Sequence, residues 1–230
     1  MTIVLYDLVG RDDRRFSSNC WKTSLALAHK GCRFETVPTK FTEIPSIGDG
    51  SYSTVPVVEF DGIWVDDSWA IAEHLEESCP DGPSLFGGAG GREYARYVQR
   101  WCESRIHPLM MTLIILDIQA HLAPEDVEYF NGTRPQRFGR PLEEVQSGRD
   151  ERVIEYRDRL EPLRRVVAAQ PFMCGSEPSY ADHIVMGSII GARRMSSYPL
   201  FVSDDPIYDW MHRCLDLYDG LGQRGVGYNW

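Results

Sequence analysis

Patterns that would announce a chemistry outright are scarce in this chain. Six cysteines, Cys20, Cys32, Cys79, Cys102, Cys174 and Cys214, are scattered without a C-x-x-C pair, which excludes a zinc knuckle or a dense disulfide frame and leaves them as reduced core thiols. The six histidines form no H-E-x-x-H or similar spacing, so no metal site is expected. No apolar run reaches the roughly 18 residues that a membrane-spanning helix needs. The opening MTIVLYDLVG has neither the basic flank nor the long apolar core of a signal peptide, so a cytoplasmic address with no membrane partner is expected. Compact Lys/Arg tracts are missing too. With 24 basic against 34 acidic residues and a formal charge of −10, the chain would repel an extended phosphate backbone, which excludes nucleic acid as a partner. Asn131-Gly132-Thr133 has the form of a glycosylation acceptor, but without a secretion signal it reads as a Gly-containing turn.

What is present is an ordinary folded composition in two parts. The chain has 230 residues, 43% hydrophobic and 25% charged, enough for two modest cores. Residues 1–80 alternate strand-like and helix-like runs. Thr2 to Tyr6 is β-branched and aromatic, and Trp21, Leu25 and Ala28 fall on one helix face that Gly31 can end. Phe34 to Val37 predicts a strand before Pro38. Val55 to Phe60 and Ile63 to Val65 flank Asp61-Gly62, a tight-hairpin dipeptide. Residues 81–91 gather Pro and Gly around Leu85-Phe86, a linker whose two large side chains tuck into a core. From 92 to 230 the pattern is helical, with segments expected at 92–122, 149–169, 179–196 and 206–218. Val153, Tyr156, Leu160, Leu163 and Val167 make one apolar stripe, and Ser179 with Asp182 has capping-box spacing. The fold class expected is an α/β first domain followed by an all-helical second domain.

Three local signals carry chemistry. In Thr54-Val55-Pro56 the X-Pro bond can be held cis at about 0.5–1 kcal/mol; such a kink would leave the Val55 backbone for an added peptide strand, whereas a trans Pro at a strand edge would do nothing of the kind. Asp67-Ser68 caps the following helix, and the same amides with Ser68 could hold a carboxylate while Asp67 pairs with an ammonium group. Ser17-Ser18-Asn19-Cys20 opens the first helix. Ser17 suits an N-cap, and its hydroxyl can also donate to a thiolate brought by a ligand; lowering a thiol pKa by two units takes about 2.7 kcal/mol.

Taken in order, these signals and the two-part organisation resemble a cytosolic glutathione transferase over nearly the whole chain. The resemblance rests on the Val-Pro step, the acid-Ser pair, the Pro83-to-Phe86 linker and the Gly175-to-Asp182 segment. LYDL, WKTSLALAHKG (Trp21 to Gly31), VPTKFT (Val37 to Thr42), DSWAIAEHL (Asp67 to Leu75) and DLYDGLG (Asp216 to Gly222) are similar to bacterial glutathione-dependent β-etherases. The resemblance implies a thioredoxin-like first domain, glutathione as co-substrate and a homodimer. It implies that Ser17 holds the thiolate, Thr54, Val55 and Pro56 the cysteinyl part, Asp67 and Ser68 the γ-glutamyl end, and Lys40 the glycine carboxylate. Ser18-Asn19 stands where relatives often have Pro-Tyr, so Ser17, Ser18 and Asn19 are all candidate thiolate donors. A hydrophobic electrophile would bind between the domains against Trp101, His107, Met110, Met111 and Ile114, residues that could equally be core. The implied reaction is thiolate attack on an electrophilic carbon, with β-aryl ether cleavage as the subtype. Rivals are a glutathione-dependent isomerase or dehalogenase and a non-catalytic carrier of glutathione or a hydrophobic ligand. A disulfide reductase is disfavoured, because Ser17 replaces the leading cysteine and Cys20 reads as a core thiol.

Overall fold

The computed structural model describes residues 2–230; Met1, the first residue of the expected first domain, lies outside them. The chain begins with β1 (Ile3–Leu8), α1 (Ser18–His29), β2 (Glu35–Thr39), β3 (Val57–Phe60), β4 (Ile63–Asp66) and α2 (Ser68–Ser78). The strands form one sheet in the order β2-β1-β3-β4, with β1 parallel to β2 and antiparallel to β3. This mixed sheet with its helices is a thioredoxin-like domain. Asp61 and Gly62 turn the β3–β4 hairpin with φ of 47° and 91°, left-handed values that an Asp-Gly turn accommodates. Pro38 lies within β2, opposite Asp7, one residue past the point where the sequence predicts the strand to stop. An edge strand tolerates this, because the missing N–H faces away from the ladder.

Ten α-helices occur among the described residues. After α2 come α3 (Ala89–Trp101), α4 (His107–Ala120), α5 (Pro124–Phe138), α6 (Leu142–Gln146), α7 (Arg149–Arg159), α8 (Glu161–Ala169), α9 (Tyr180–Met195) and α10 (Pro206–Gly220). The expected single helix over 92–122 starts at Ala89 and is interrupted by a π-helical turn, Cys102–Ile106. The expected helix over 149–169 is two helices that meet at Leu160, where Pro162 cannot supply the N–H that continuation needs. The turn expected at Asn131-Gly132-Thr133 is instead the interior of α5, which starts on Pro124 with Glu125 and Asp126 in its first turn and ends at left-handed Gly139. Those end signals outweigh one internal glycine, which costs a helix about 1 kcal/mol. No helix among the described residues is long and apolar enough to cross a membrane.

Helix α9 is the central post. Every residue from Tyr180 to Met195 is buried, and α1 crosses it at close range. A Cβ at Gly187 would sit 2.4 Å from the Ser18 carbonyl oxygen, and one at Gly191 2.5 Å from that of Phe16. Only glycine lets the two backbones approach this closely. The start of α9 is fixed by Asp182, whose carboxylate accepts from the N–H of Ser179 (3.0 Å) and of Met173 (2.9 Å), from Ser179 Oγ (2.9 Å) and from Trp210 Nε1 (2.9 Å). Leu85 and Phe86 are buried as expected, with Phe86 packed between Trp69 and Tyr180 at ring-centroid distances of 5.4 and 5.5 Å.

Candidate functional site

The first turn of α1 meets the π-turn and α4 across a cleft enclosing about 370 Å³. Ser17, Ser18 and Asn19 line one side; His107, Met110, Met111 and Ile114 line the other, so seven of the candidate residues face a common space. Trp101 does not line it and packs against the core instead. Phe41 and Phe130 also line it, with the Arg134 guanidinium 4.9 and 5.0 Å from their ring centroids.

Ser17 is the N-cap of α1: its Oγ accepts from the Cys20 N–H at 3.2 Å. Capping uses a lone pair, so the hydroxyl hydrogen can still donate into the cleft. Asn19 is exposed, and its Oδ1 accepts from Lys22 Nζ at 2.9 Å. An ammonium can only donate, so this bond fixes the amide orientation and leaves Nδ2 as the outward group. Cys20 is fully buried, and burial reinforced by Asp7 pushes its thiol well above the ordinary range. It is a core thiol and not a nucleophile.

The remaining candidates lie outside the cleft lining. Val55-Pro56 is cis, and Val55 precedes β3 without joining a ladder pair; Thr54 before it is exposed. Asp67 caps α2 through Oδ1, which accepts from the N–H of Trp69 at 2.9 Å and of Ala70 at 3.1 Å. The buried Ser68 is held from the helical domain, because Tyr180 Oη donates to its carbonyl at 2.7 Å. Lys40 is engaged elsewhere: its Nζ pairs with Glu125 at 3.0 Å and Glu43 at 3.8 Å, and the Glu125 bond raises its pKa.

The cleft candidate His107 is electrostatically perturbed, and Cys102 and Lys22 line the cleft without being among the sequence candidates. His107, half-buried, has its pKa pushed down to about 4, chiefly by burial, with the Lys22 and Arg137 charges adding; its Nδ1 lies 3.4 Å from Ser188 Oγ. A neutral imidazole is therefore the resting form. Cys102 is buried, and burial pushes its thiol up to about 12. Lys22 also lines the cleft although it is only 5% exposed. Its position three residues after Asn19, on the same helix face, was the available signal. Among the described residues no group of three or more His, Cys, Asp or Glu gathers as a metal site.

A thioredoxin-like domain whose first helix opens onto a cleft walled by an all-helical domain defines a two-domain class of thiol-handling folds. Residues 16–78 match the family model of the glutathione S-transferase N-terminal domain and residues 94–199 that of the C-terminal domain. The chain belongs to the glutathione S-transferase family. Maleylacetoacetate isomerase of Dictyostelium discoideum is 31% identical over 122 residues, 48% of this chain and 53% of that protein; the enzyme of Rattus norvegicus is 31% identical over 116 residues, 45% and 51%. The chain thus spans about half the length of these relatives. Glutathione transferase GSTFuA3 from Phanerochaete chrysosporium has a TM-score of 0.83 at 23% identity, over 93% of this chain and 96% of its own. The beta-etherase LigF from Sphingobium sp. strain SYK-6 has a TM-score of 0.66 at 20% identity, over 94% and 96%. At such identities the structures speak to the fold.

Proposed function

We propose that this protein is a glutathione-dependent transferase whose first α1 turn holds the glutathione thiolate against a hydrophobic electrophile. The observation that carries the reading is the position of Ser17, an N-cap with a hydroxyl hydrogen to spare, on the same cleft as Met110, Met111 and Ile114. In this reading Ser17 donates to the thiolate, and Asn19 Nδ2 is a second donor. Val55 offers its backbone to the cysteinyl part, with Thr54 and Pro56 beside it. Asp67 and Ser68 take the γ-glutamyl end. Lys40 reaches the glycine carboxylate only by leaving Glu125. Catalysis then consists of thiolate stabilisation and proximity. The setting is cytoplasmic, and the assembly a homodimer divided as 1–80, 81–91 and 92–230.

The subtype is β-aryl ether cleavage, supported by the sequence stretches shared with β-etherases and by the fold likeness to LigF. A second reading, a glutathione-dependent isomerase, is favoured by the maleylacetoacetate isomerase relatives. Stoichiometry separates them, because ether cleavage consumes one glutathione per phenol released whereas isomerisation returns it. Calorimetry should show glutathione binding to the wild type that Ser68→Ala weakens, and Ser17→Ala should lose turnover about 10²-fold or more while still binding. Absence of binding to the wild type would leave a carrier of other hydrophobic ligands, and unchanged turnover in Ser17→Ala would remove that hydroxyl from the mechanism.

A further inference from the structure

Lys22 is a buried cation that makes no direct ion pair among the described residues. Its side chain runs past Gly187, where a Cβ would lie 2.9 Å from Lys22 Cγ, and ends on the cleft with one hydrogen bond, to Asn19 Oδ1 at 2.9 Å. An ammonium has three hydrogens to place. Across from it stand Cys102, Glu103 and His107, with Asp67 contributing at longer range. Glu103, the one carboxylate of the cleft lining, is already held by Gln99 Nε2 at 2.8 Å and Arg100 NH1 at 3.0 Å. Cys102 and His107 rest as neutral thiol and imidazole. Removing a lysine from water without a direct ion pair is expensive, and burial lowers its pKa against the opposing charges of Glu103 and Asp67. A core position would be filled more cheaply by Met or Leu.

We infer that Lys22 is a specificity-determining residue of the cleft, placed to bind the oxygen anion of an aromatic alcohol. The inference rests on the transferase reading and adds the chemistry of the acceptor. In the ether-cleaving step the glutathione thiolate forms a C–S bond, the C–O bond breaks, and its electron pair leaves on the aryl oxygen. The oxyanion takes hydrogen bonds from Lys22 Nζ and then the proton that the glutathione thiol released, so no oxidant or reductant is needed. Lys22 shares the cleft with the π-turn and α4, whose Met110, Met111 and Ile114 would hold the ring.

The test is independent of turnover and of glutathione. 4-Nitrophenol, whose ionisation is visible by absorbance near neutral pH, is titrated alone and in the presence of the wild type, Lys22→Met and Lys22→Arg. The wild type should bind the phenolate at least about tenfold better than the phenol, so that the apparent pKa of bound probe falls by about one unit. Lys22→Arg should keep the direction of the shift. Lys22→Met, which fills the same buried channel with an apolar stem, should abolish most of it, leaving only what Arg134 and Arg137 of the same lining contribute. A merely structural lysine would leave the probe's pKa unmoved by the substitution. Equal shifts in the wild type and Lys22→Met, or no binding of the probe to the wild type, overturn the inference. Failure to bind glutathione overturns the transferase reading alone, because the probe titration is read without it.

Discussion

Asp7 gives the strongest prediction about stability. It sits on β1 at 5% exposure, with Oδ1 lacking any partner and Oδ2 only 3.4 Å from Arg15, a guanidinium already 2.6 Å from Asp13. Desolvation by burial raises its pKa from 3.8 to about 6 against the lowering effect of Arg15. The native state therefore binds this proton more tightly than the unfolded chain, so the group's contribution to stability is full below 3.8 and is lost as pH rises through 6. The gap between the two pKa values corresponds to about 3 kcal/mol in total, of which roughly 1 to 2 kcal/mol returns between pH 8 and pH 5. Asp7→Asn keeps the shape and removes the charge. Urea unfolding at pH 5, 6, 7 and 8 should find the variant more stable than the wild type at pH 8, with the difference shrinking as pH falls. Parallel stability profiles for the two proteins across that range would refute the reasoning, because they would mean that the Asp7 carboxyl titrates alike in the folded and unfolded chains.

Two further substitutions probe how the site is carried. Gly187→Ala places a Cβ 2.4 Å from the Ser18 carbonyl and against the Lys22 stem; thermal unfolding should show a loss of about 1–3 kcal/mol, and an unchanged Tm would mean that α1 yields freely. Asp182→Ala orphans the Ser179, Met173 and Trp210 donors and should cost about 3 kcal/mol or more in chemical denaturation, whereas a loss below about 1 kcal/mol would mean that the α9 start is held by packing alone.

The sequence was most legible where local chemistry and tertiary demand coincide. Asp61-Gly62 makes its hairpin, Ser179 and Asp182 make their cap, and the Val153-to-Val167 stripe is buried across two helices. It was least legible where the two conflict. Gly132 and Pro135 disguise α5, and the π-turn Cys102–Ile106 shifts the helical phase between Trp101 and Met110, so the two do not share the cleft face that one uninterrupted helix would give them. Lys22 escaped notice because a charged residue beside an apolar stripe ordinarily points to water. Only the closeness of α9, which Gly187 permits, shows that the Lys22 stem is buried.

The division of labour around α9 bears on how such a protein can change over generations. A helix buried on every side, touching the start of α1 through bare backbone, admits almost no substitution, so the atoms that would handle the thiol are held nearly constant by packing rather than by chemistry. The opposite wall is built from α4 and α5, where methionines and a guanidinium resting on aromatic rings can be exchanged without disturbing that contact. Substitutions that alter what the cleft accepts are therefore expected mostly between residues 103 and 137, with Lys22 the exception on the α1 side.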